Sequence, residues 1–361
     1  MLKYSVGLDI SVKEIHACIS VIDNAQKVTV KSTRTIENNK SGFANLVEWI
    51  GKNWKKKELP LVTSMEATGA YYENCAIYLN KQGYRVSVVL PNIAKKYMQA
   101  SGLKSKNDKI DAQGLSKMGA EKCLDPWEPL TEYAYQLRCL TRQYQDLSEQ
   151  KTRVSNQLHA DEYGMYKNEI VMGQLKATIL SIGEQQKSLQ EAIEAQIALD
   201  SEVSRKVENI CKIKGVGIMT VAVILAETNL FASFKNVPQV VSYAGYDVIE
   251  NSSGDHKGDT RISKSGNSRI RRILFMPAFS VVSSQEKIFV DLYKRTLCKH
   301  NIKMKSYVAV QKKILILIFG LWKKGVAFDK DFKQHTKEKE LVPSLGMRAE
   351  RDGKEIAPIK D

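Results

Sequence analysis

Apolar and polar positions alternate over the first forty residues in a way that predicts three strands. Residues 4–11, 15–22 and 27–36 are short runs rich in β-branched and aromatic side chains, and turn-forming residues separate them, as in a three-stranded meander. The spacing of apolar residues then changes from that of a strand to that of a helix. Apolar residues spaced three and four apart predict a helix over 42–54.

The next fifty residues continue the alternation of strands and helices. The predicted segments are a strand at 61–65, a helix at 70–81, a strand at 84–90 and a helix that opens at Pro91. Three strands followed by αβαβα is the element order of the ribonuclease-H-like fold, so the sequence predicts an α/β N-terminal domain of this class.

Beyond residue 130 the pattern becomes helical. Between 131 and about 206, apolar residues at helical spacing predict two long helices with a break near 163–164, which we interpret as a coiled-coil spacer or oligomerisation arm. Residues 207–324 predict a compact, mainly α region. The predicted domains are 1–128, 129–206 and 207–328, followed by a polar and flexible tail at 329–361.

Positive charge is concentrated in the C-terminal region. The chain carries a formal charge of +15, and residues 251–330 contain 17 basic and 5 acidic residues, a net +12. A localised basic surface is typical of proteins that bind a polyanion, most often nucleic acid. A merely solvated basic surface is the alternative.

Cysteine use and hydropathy narrow the class of protein further. The six cysteines are scattered without a CxxC pair, which argues against a zinc site and against a disulfide framework. The N-terminus lacks the order of a signal peptide, and the longest apolar run, 314–322, is too short to span a bilayer. We therefore expect a cytoplasmic protein.

Two carboxylates occupy unusual positions in predicted strands. Asp9 lies within the apolar run 6–10, and Glu66 ends the strand that begins at 61. An ionised carboxylate in such a strand is unfavourable unless it is paired or bound to a cation. In a ribonuclease-H-like sheet the first and fourth strands are adjacent, so the two carboxylates should converge.

A third acidic element follows at residues 108–111. If this segment is helical, Asp108 and Asp111 lie on one face and point at the same site. Lys104 and Lys106 precede them and suit phosphate binding. Four hard oxygen ligands favour Mg²⁺, which makes Asp9, Glu66, Asp108 and Asp111 a predicted metal site; ordinary surface charge is the alternative.

Several short motifs resemble those of one family when they are taken together. They are GLDIS at 7–11, MEATG at 65–69, KNDKIDA at 106–112, IKGVG at 213–217, SYAG at 242–245, SG at 253–254, RISKSG at 261–266 and RRIL at 271–274. In this order they resemble the DEDD-type bacterial insertion-sequence transposases, the bridge-RNA-guided recombinases, over nearly the whole chain to about residue 328.

The resemblance implies a RuvC-like DEDD domain, joined by a coiled coil to a transposase domain with a catalytic serine. It also implies a homo-oligomer, a dimer or tetramer, assembled on a structured guide RNA whose loops pair with donor and target DNA. In such an assembly the carboxylates of one subunit and the serine of another form a composite site, and strand exchange proceeds through a covalent phosphoserine.

By position after the motif at 242–245, the family's nucleophile falls on Ser253, with Ser252 as the alternative. The segment departs from the family's pattern, because it lacks a preceding proline and is one residue shorter before Arg261. A serine needs nearby positive charge to stabilise its alkoxide and the transition state. The basic residues available for this are Lys257, Arg261, Lys264, Arg271 and Arg272.

Gly215 and Gly217 lie between two apolar helical segments. This pattern is typical of a helix-hairpin-helix turn, whose amides can bind a phosphate, and equally of a simple helix cap. The leading prediction is thus an RNA-guided, Mg²⁺-dependent transposase or recombinase. A RuvC-like structure-specific endonuclease and a non-catalytic nucleic-acid-binding relic are the alternatives.

Overall fold

The structure of this chain is a computed structural model that describes residues 1–102, 107–250, 252–253, 256–258 and 260–329. Lys104 and Lys106, two predicted phosphate-binding residues, lie outside the described residues, as does the predicted tail from 330 onward. For Ser253 and Lys257 the strand backbone alone is described. The chain divides into two compact units, Met1–Pro129 and Leu130–Asp361.

The first unit is a five-stranded sheet with helices. Its strands are β1 (Lys3–Ile10), β2 (Glu14–Ile22), β3 (Val28–Glu37), β4 (Leu61–Glu66) and β5 (Arg85–Val89), and its helices are α1 (Lys40–Asn53), α2 (Glu73–Lys81), α3 (Pro91–Ala100) and α4 (Asp108–Glu121). The strand order is β3-β2-β1-β4-β5. The first three strands pair antiparallel, and β4 and β5 continue the sheet in parallel with β1.

This order of elements is the one that the hydrophobic pattern predicts, and β1 and β4 are neighbours as expected. The helix predicted at 70–81 begins later, at Glu73, because Gly69 adopts a left-handed φ of 57° and the chain turns through 70–72. The two faces of β1 differ. Val6 and Leu8 are buried in an apolar core with α1, whereas Ser5, Gly7 and Asp9 alternate onto the other face.

The second unit is mainly helical. Its helices are α5 (Glu132–Tyr163), α6 (Glu169–Ala198), α7 (Ser201–Cys211), α8 (Ile218–Glu227), α9 (Val237–Tyr243), α10 (Ser268–Ile273), α11 (Phe275–Ser283), α12 (Lys287–His300) and α13 (Lys303–Lys324). Four two-residue strands, β6 (Val248–Ile249), β7 (Ser252–Ser253), β8 (His256–Lys257) and β9 (Arg261–Ile262), lie within the described part of the segment between α9 and α10. They pair antiparallel as β6 with β9 and β7 with β8.

Helices α5 and α6 form an antiparallel pair, and α5 ends at Tyr163, at the predicted break. Hydrogen bonds from Gln186 to Ser148 (2.8 Å) and from Gln196 to the Tyr133 carbonyl (3.3 Å) join the two helices. The prediction of two helices reaching residue 206 is wrong at its end. Asp200 accepts hydrogen bonds from the amides of Glu202 and Val203 and so starts the separate helix α7.

The core of the second unit surrounds α8. Residues 220–227 of this helix are all buried, α8 contacts α5, α7 and α10, and its apolar residues share one core cluster with Phe231 and α13. Within the described residues, a single helix long and apolar enough to cross a membrane does not occur. One pair bent by 100°, Ser268–Ser283 with Lys287–His300, passes that test by length and composition only.

Candidate active site

Strand pairing brings Asp9 and Glu66 together at one edge of the sheet. In the parallel register of β1 and β4, Leu8 lies opposite Met65, so Asp9 and Glu66 occupy the next step on each strand. Side chains of directly opposed residues point to the same face of a sheet. The predicted convergence of these two carboxylates is therefore present in the register.

Helix α4 lies across that face. Its first turn carries Asp108 and Asp111, and Asn107 caps it by accepting a hydrogen bond from the amide of Ile110 at 2.9 Å. The predicted helical spacing thus places Asp108 and Asp111 at the start of one helix.

Small residues let α4 approach β1 closely. A Cβ atom on Gly7 would lie 2.1 Å from the Ser116 amide nitrogen and 2.2 Å from the Ala112 carbonyl oxygen, so only glycine fits there. The contact is also hydrogen-bonded, because Ser64 donates to the Leu115 carbonyl (2.8 Å) and Ser116 donates to the Ser5 carbonyl (2.9 Å). These bonds fix the position of α4 over the strand that carries Asp9.

The pKa of Asp9 shows that the other three predicted carboxylates lie near it. The pKa of this half-buried carboxyl is raised to about 6, first by burial and then by the negative charges of Asp108, Asp111 and Glu66, against an opposing effect of His16. The other three predicted carboxylates therefore all lie close enough to Asp9 to act on its charge.

His16 is a member of this site that the sequence analysis did not identify. It lies opposite Asp9 in the pairing of β1 with β2, and its Nε2 atom is 3.4 Å from Asp108 Oδ2. The Thr35 hydroxyl contacts its Nδ1 atom at 3.1 Å and orients the ring. The signal in the sequence is the tight turn between β1 and β2, which sets residue 9 opposite residue 16.

Two observations bear on whether these residues could hold a metal ion. Among the residues that the structure describes, no group of three or more His, Cys, Asp or Glu side chains is arranged to hold an ion. The donor chemistry nevertheless fits a hard cation, because the neighbours of Asp9 are carboxylates whose mutual repulsion raises its pKa. A bound positive charge would relieve that repulsion.

In the second unit, backbone hydrogen bonds join the two ends of the segment that carries Ser253, and we call this joined part the root of the segment. The Ser263 amide donates to the Asp247 carbonyl at 2.7 Å, and the Asn267 amide donates to the Tyr243 carbonyl at 2.7 Å. Gly245 has a φ of 74°, and a Cβ atom on Gly266 would lie 2.6 Å from the Gly245 amide nitrogen, so the two glycines are closely packed. We call residues 245–266 the serine loop.

A buried polar network lies beneath this root. Arg142 donates two hydrogen bonds to the carboxylate of Glu227, at 2.6 and 2.9 Å, and Asn267 donates to the same carboxylate at 2.7 Å. The Tyr243 hydroxyl donates to the Glu227 carbonyl at 2.8 Å. Asn267 also caps α10 through its Oδ1 atom, so the network ties α5, α8 and α10 to the base of the serine loop.

The predicted nucleic-acid-binding arginines lie close to the same root, and their roles as DNA or RNA contacts stay predictions. Arg271 donates to the Ala244 carbonyl at 2.8 Å, and Arg272 forms an ion pair with Glu149 on α5. Arg261 and Lys264 are exposed, and Lys264 has a left-handed φ of 53°.

The two glycines of the predicted phosphate-binding turn differ in their surroundings. Gly215 has a φ of 93° and packs so tightly on α11 that a Cβ atom would lie 2.8 Å from the Val281 amide nitrogen. This glycine is therefore required by packing. Gly217 is the N-cap of α8 and has open space beside it. Only Gly217 leaves room for a phosphate to approach the helix N-terminus.

Two transposase family models match the chain. One, DEDD_Tnp_IS110, is described as a transposase and matches residues 6–161. The other is described as a transposase of the IS116/IS110/IS902 family and matches residues 207–294. The first match contains the carboxylate site, and the second contains the serine loop.

Curated relatives agree with these matches. Pilin gene-inverting proteins of Moraxella lacunata and Moraxella bovis are 27% and 26% identical to this chain over 333 residues, covering 91% of the chain and 99% of each relative. An uncharacterized protein of insertion element IS110 from Streptomyces coelicolor is 23% identical over 161 residues, covering 45% of this chain and 38% of that protein.

Among solved structures, RuvC of Thermus thermophilus in complex with a Holliday junction substrate matches with a TM-score of 0.27 and 10% identity, covering 34% of this chain and 99% of that one. The PPX-GPPA enzyme of Aquifex aeolicus matches with a TM-score of 0.21 and 11% identity, covering 52% and 92%. Likenesses at this level carry no argument about activity.

The acidic sheet edge of the first unit and the helical second unit, with a family match on each, define a DNA transposase or recombinase. The chain belongs to the IS110-type transposases and recombinases, as its sequence motifs predict.

Proposed function

We propose that this protein cuts and exchanges DNA strands through a covalent phosphoserine, with the four carboxylates of the first unit holding Mg²⁺. The observation that carries the proposal is the effect of Glu66, Asp108 and Asp111 on Asp9, which indicates that four carboxylates lie together at one edge of the sheet. Such a concentration is unfavourable without a cation. Bound there, Mg²⁺ would neutralise charge on the attacked phosphate.

In this proposal Ser253 is the nucleophile that cleaves the DNA strand. The Ser253 hydroxyl oxygen bonds to a DNA phosphorus, the bond from that phosphorus to one sugar oxygen breaks, and the serine proton ends on the departing sugar hydroxyl. The energy of the broken ester is kept in the phosphoserine. The hydroxyl of another strand then attacks that phosphorus and regenerates the serine, which completes the exchange without an external energy source.

The basic residues around the serine loop would stabilise the charge that develops during both steps. Arg261 and Lys264 are exposed near the root of the loop, and Arg271 is hydrogen-bonded at the root itself. Cations close to a phosphorane-like transition state lower its energy more than they lower that of the bound substrate.

The partners that we propose are donor DNA, target DNA and a structured guide RNA that selects both by base pairing. The resemblance of the motifs to bridge-RNA-guided recombinases supports the RNA, and the surplus of positive charge in residues 251–330 suits a polyanion. Because two relatives are named as gene-inverting proteins, inversion of a DNA segment is a second outcome that the same strand exchange could produce. We propose that the protein acts as a dimer or tetramer.

One experiment separates the proposal from its alternatives. The full-length protein is incubated with its RNA and with labelled donor and target DNA in Mg²⁺ or in EDTA, and products are resolved under denaturing conditions. A Mg²⁺-dependent DNA adduct that contains phosphoserine supports the proposal. Nicked DNA without an adduct identifies a structure-specific endonuclease, and a bound but uncut complex identifies a non-catalytic binding protein.

Variants locate the nucleophile in the same assay. Ser253→Ala should abolish the adduct and leave DNA and RNA binding intact, whereas the matched variant Ser252→Ala should still form it. An adduct that persists in Ser253→Ala and disappears in Ser252→Ala would move the nucleophile by one residue. Asp9→Asn should abolish cleavage without weakening binding.

A further inference from the structure

Four aromatic side chains form a continuous row across three helices of the second unit. Phe275 and Phe279 on α11 contact edge to face with ring centroids 5.0 Å apart, and Phe279 stacks on Tyr307 of α13 at 3.9 Å. Tyr307 in turn lies 4.7 Å from Tyr293 of α12. We call these four residues the aromatic row.

The inner and outer ends of the aromatic row differ. Tyr293 and Tyr307 are partly buried and pack against the core of the second unit. Phe275 is 40% exposed, and the neighbouring Met276 is 65% exposed. The row therefore begins in the core and ends in an apolar, aromatic surface. Phe275 is not among the residues that form or pack against the core of the second unit, so we expect Phe275→Leu to leave that core intact.

The surface around the aromatic row is strongly basic. Residues 268–305 contain nine Lys and Arg and two Asp and Glu. The exposed cations on the helices that carry the row include Lys287, Lys294 and Arg295. An apolar protein partner would have to desolvate this charge, whereas a polyanion would be attracted by it. Charge complementarity thus favours a nucleic-acid strand as the occupant.

The aromatic row starts one helical turn from the root of the serine loop. Arg271 precedes Phe275 by four residues, and Leu274, which joins α10 to α11, keeps helical backbone angles. Residues four apart on a helix are surface neighbours. Arg271 is hydrogen-bonded to the Ala244 carbonyl, next to the start of the serine loop, so Phe275 lies one helical turn from a residue that contacts the base of that loop.

We propose that the aromatic row is a stacking platform for unpaired bases of a single DNA strand next to the serine loop. Stacking on aromatic rings is tolerant of base identity, and flanking cations hold the strand's phosphates. The inference deepens the proposed function and rests on it for the identity of the strand, since strand exchange passes through bases that have left their old duplex and have not yet paired in the new one.

The test uses the full-length protein and short oligonucleotides that contain 2-aminopurine, whose fluorescence is quenched by stacking. Single-stranded DNA, single-stranded RNA and duplex DNA are each titrated with wild type, Phe275→Leu and Phe275→Trp. In Phe275→Leu we expect single-strand affinity to fall roughly fivefold or more and the quenching to be lost, with duplex affinity unchanged. Phe275→Trp should retain both signals. A dependence on Phe275 that is seen with single-stranded RNA and not with single-stranded DNA would overturn the assignment of the platform to DNA.

Tyr135→Leu is the matched control, because Tyr135 is also 40% exposed but lies on α5, outside the aromatic row. Tyr135→Leu should leave the affinity and the quenching unchanged for all three nucleic acids. Thermal unfolding of each variant checks that the fold is intact. Equal single-strand affinity and quenching in Phe275→Leu and wild type would overturn the proposal. So would a change of oligomeric state in Phe275→Leu without a change in binding, which would identify a protein contact instead. Neither result depends on phosphoserine formation, so failure of the proposed chemistry is detected separately.

Discussion

His16 Nε2 lies 3.4 Å from Asp108 Oδ2, so a histidine on β2 contacts the first residue of α4. The contact joins the sheet to the helix that supplies two of the four carboxylates. Because Thr35 orients the same imidazole from its other nitrogen, the ring can donate a hydrogen bond to Asp108 in a defined direction.

This relationship predicts that His16 positions a metal ligand. His16→Leu should weaken Mn²⁺ binding by roughly tenfold or more, the usual effect of removing a hydrogen-bond donor to a ligand, as measured by titration calorimetry at pH 8. His16→Gln, which keeps a donor, should retain most of the affinity. Wild-type affinity in His16→Leu would contradict the positioning role.

Asp9 should destabilise the protein when no cation is bound. Its pKa is raised to about 6 by burial and by the neighbouring carboxylates, so ionisation of this group opposes folding. The penalty is absent below pH 4, grows through the interval up to about 6, and is complete above it. In EDTA at pH 7.5, Asp9→Asn should raise the free energy of unfolding by about 1–2 kcal/mol, a value discounted for the partial exposure of the group.

Chemical denaturation of Asp9→Asn and wild type at pH 7.5 and pH 4 measures the difference in unfolding free energy. It checks both the direction of that difference and the pH range in which it arises. The gain should be present at pH 7.5 and vanish at pH 4, where the wild-type group is protonated. Asp125→Asn, which changes an exposed carboxylate of the same unit, should have little effect at either pH. An equal gain from Asp9→Asn at both pH values would show that charge is not its cause.

Gly7 controls how closely α4 approaches the sheet. In Gly7→Ala the new methyl group would collide with the backbone at Ala112 and Ser116, and neither atom can rotate away. We expect a loss of about 1–3 kcal/mol in unfolding free energy, together with loss of strand cleavage as Asp108 and Asp111 move from Asp9. Urea denaturation and the cleavage assay measure the two effects.

Gly51→Ala is the matched control for that variant. Nothing lies within 4 Å of the position its Cβ atom would take, and the residue is inside α1. Here alanine should stabilise the protein by about 0.5–1 kcal/mol through helix propensity alone. If Gly7→Ala were as stable and as active as Gly51→Ala, the close packing of α4 on β1 would be wrong.

The carboxylate site could be predicted from the sequence because its signal is local. Asp9 stands out in an apolar strand, and the order of elements is enough to make β1 and β4 neighbours. Strand ends were predicted to within one or two residues, since the period of apolar positions changes sharply between strand and helix. The role of His16 was missed because it depends on the register between β1 and β2.

The network beneath the serine loop could not be predicted in the same way. Glu227 is 85 residues from Arg142 and 40 from Asn267, and no periodicity links them. Glu227 reads in the sequence as the polar end of an apolar helix, yet its side chain is 1% exposed. Only the packing of α5, α8 and α10 brings its partners together.

That network supports the last prediction, which concerns the buried ion pair of Arg142 and Glu227. Burial alone would raise the pKa of Glu227, but hydrogen bonds and charge from Arg142, with a hydrogen bond from Asn267, hold it below its ordinary value. Arg142→Met should cost about 3–5 kcal/mol at pH 7, because it leaves a buried carboxylate without its cation. In that variant the pKa of Glu227 should rise.

The stability difference between wild type and Arg142→Met should depend on pH. In wild type the depressed pKa contributes stability above the ordinary pKa of a glutamate, and this contribution is lost as the pH falls through the folded value. In Arg142→Met, protonation of the Glu227 carboxylate removes its uncompensated charge, so the difference in unfolding free energy between the two proteins should narrow from pH 7 to pH 4.

Adding Glu227→Gln to Arg142→Met should restore at least half of the lost unfolding free energy. The control Lys52→Met, at an exposed pair with Glu48, should cost less than about 0.5 kcal/mol. A double variant no more stable than Arg142→Met would mean that the arginine stabilises the root of the serine loop by packing and not by pairing with the buried charge.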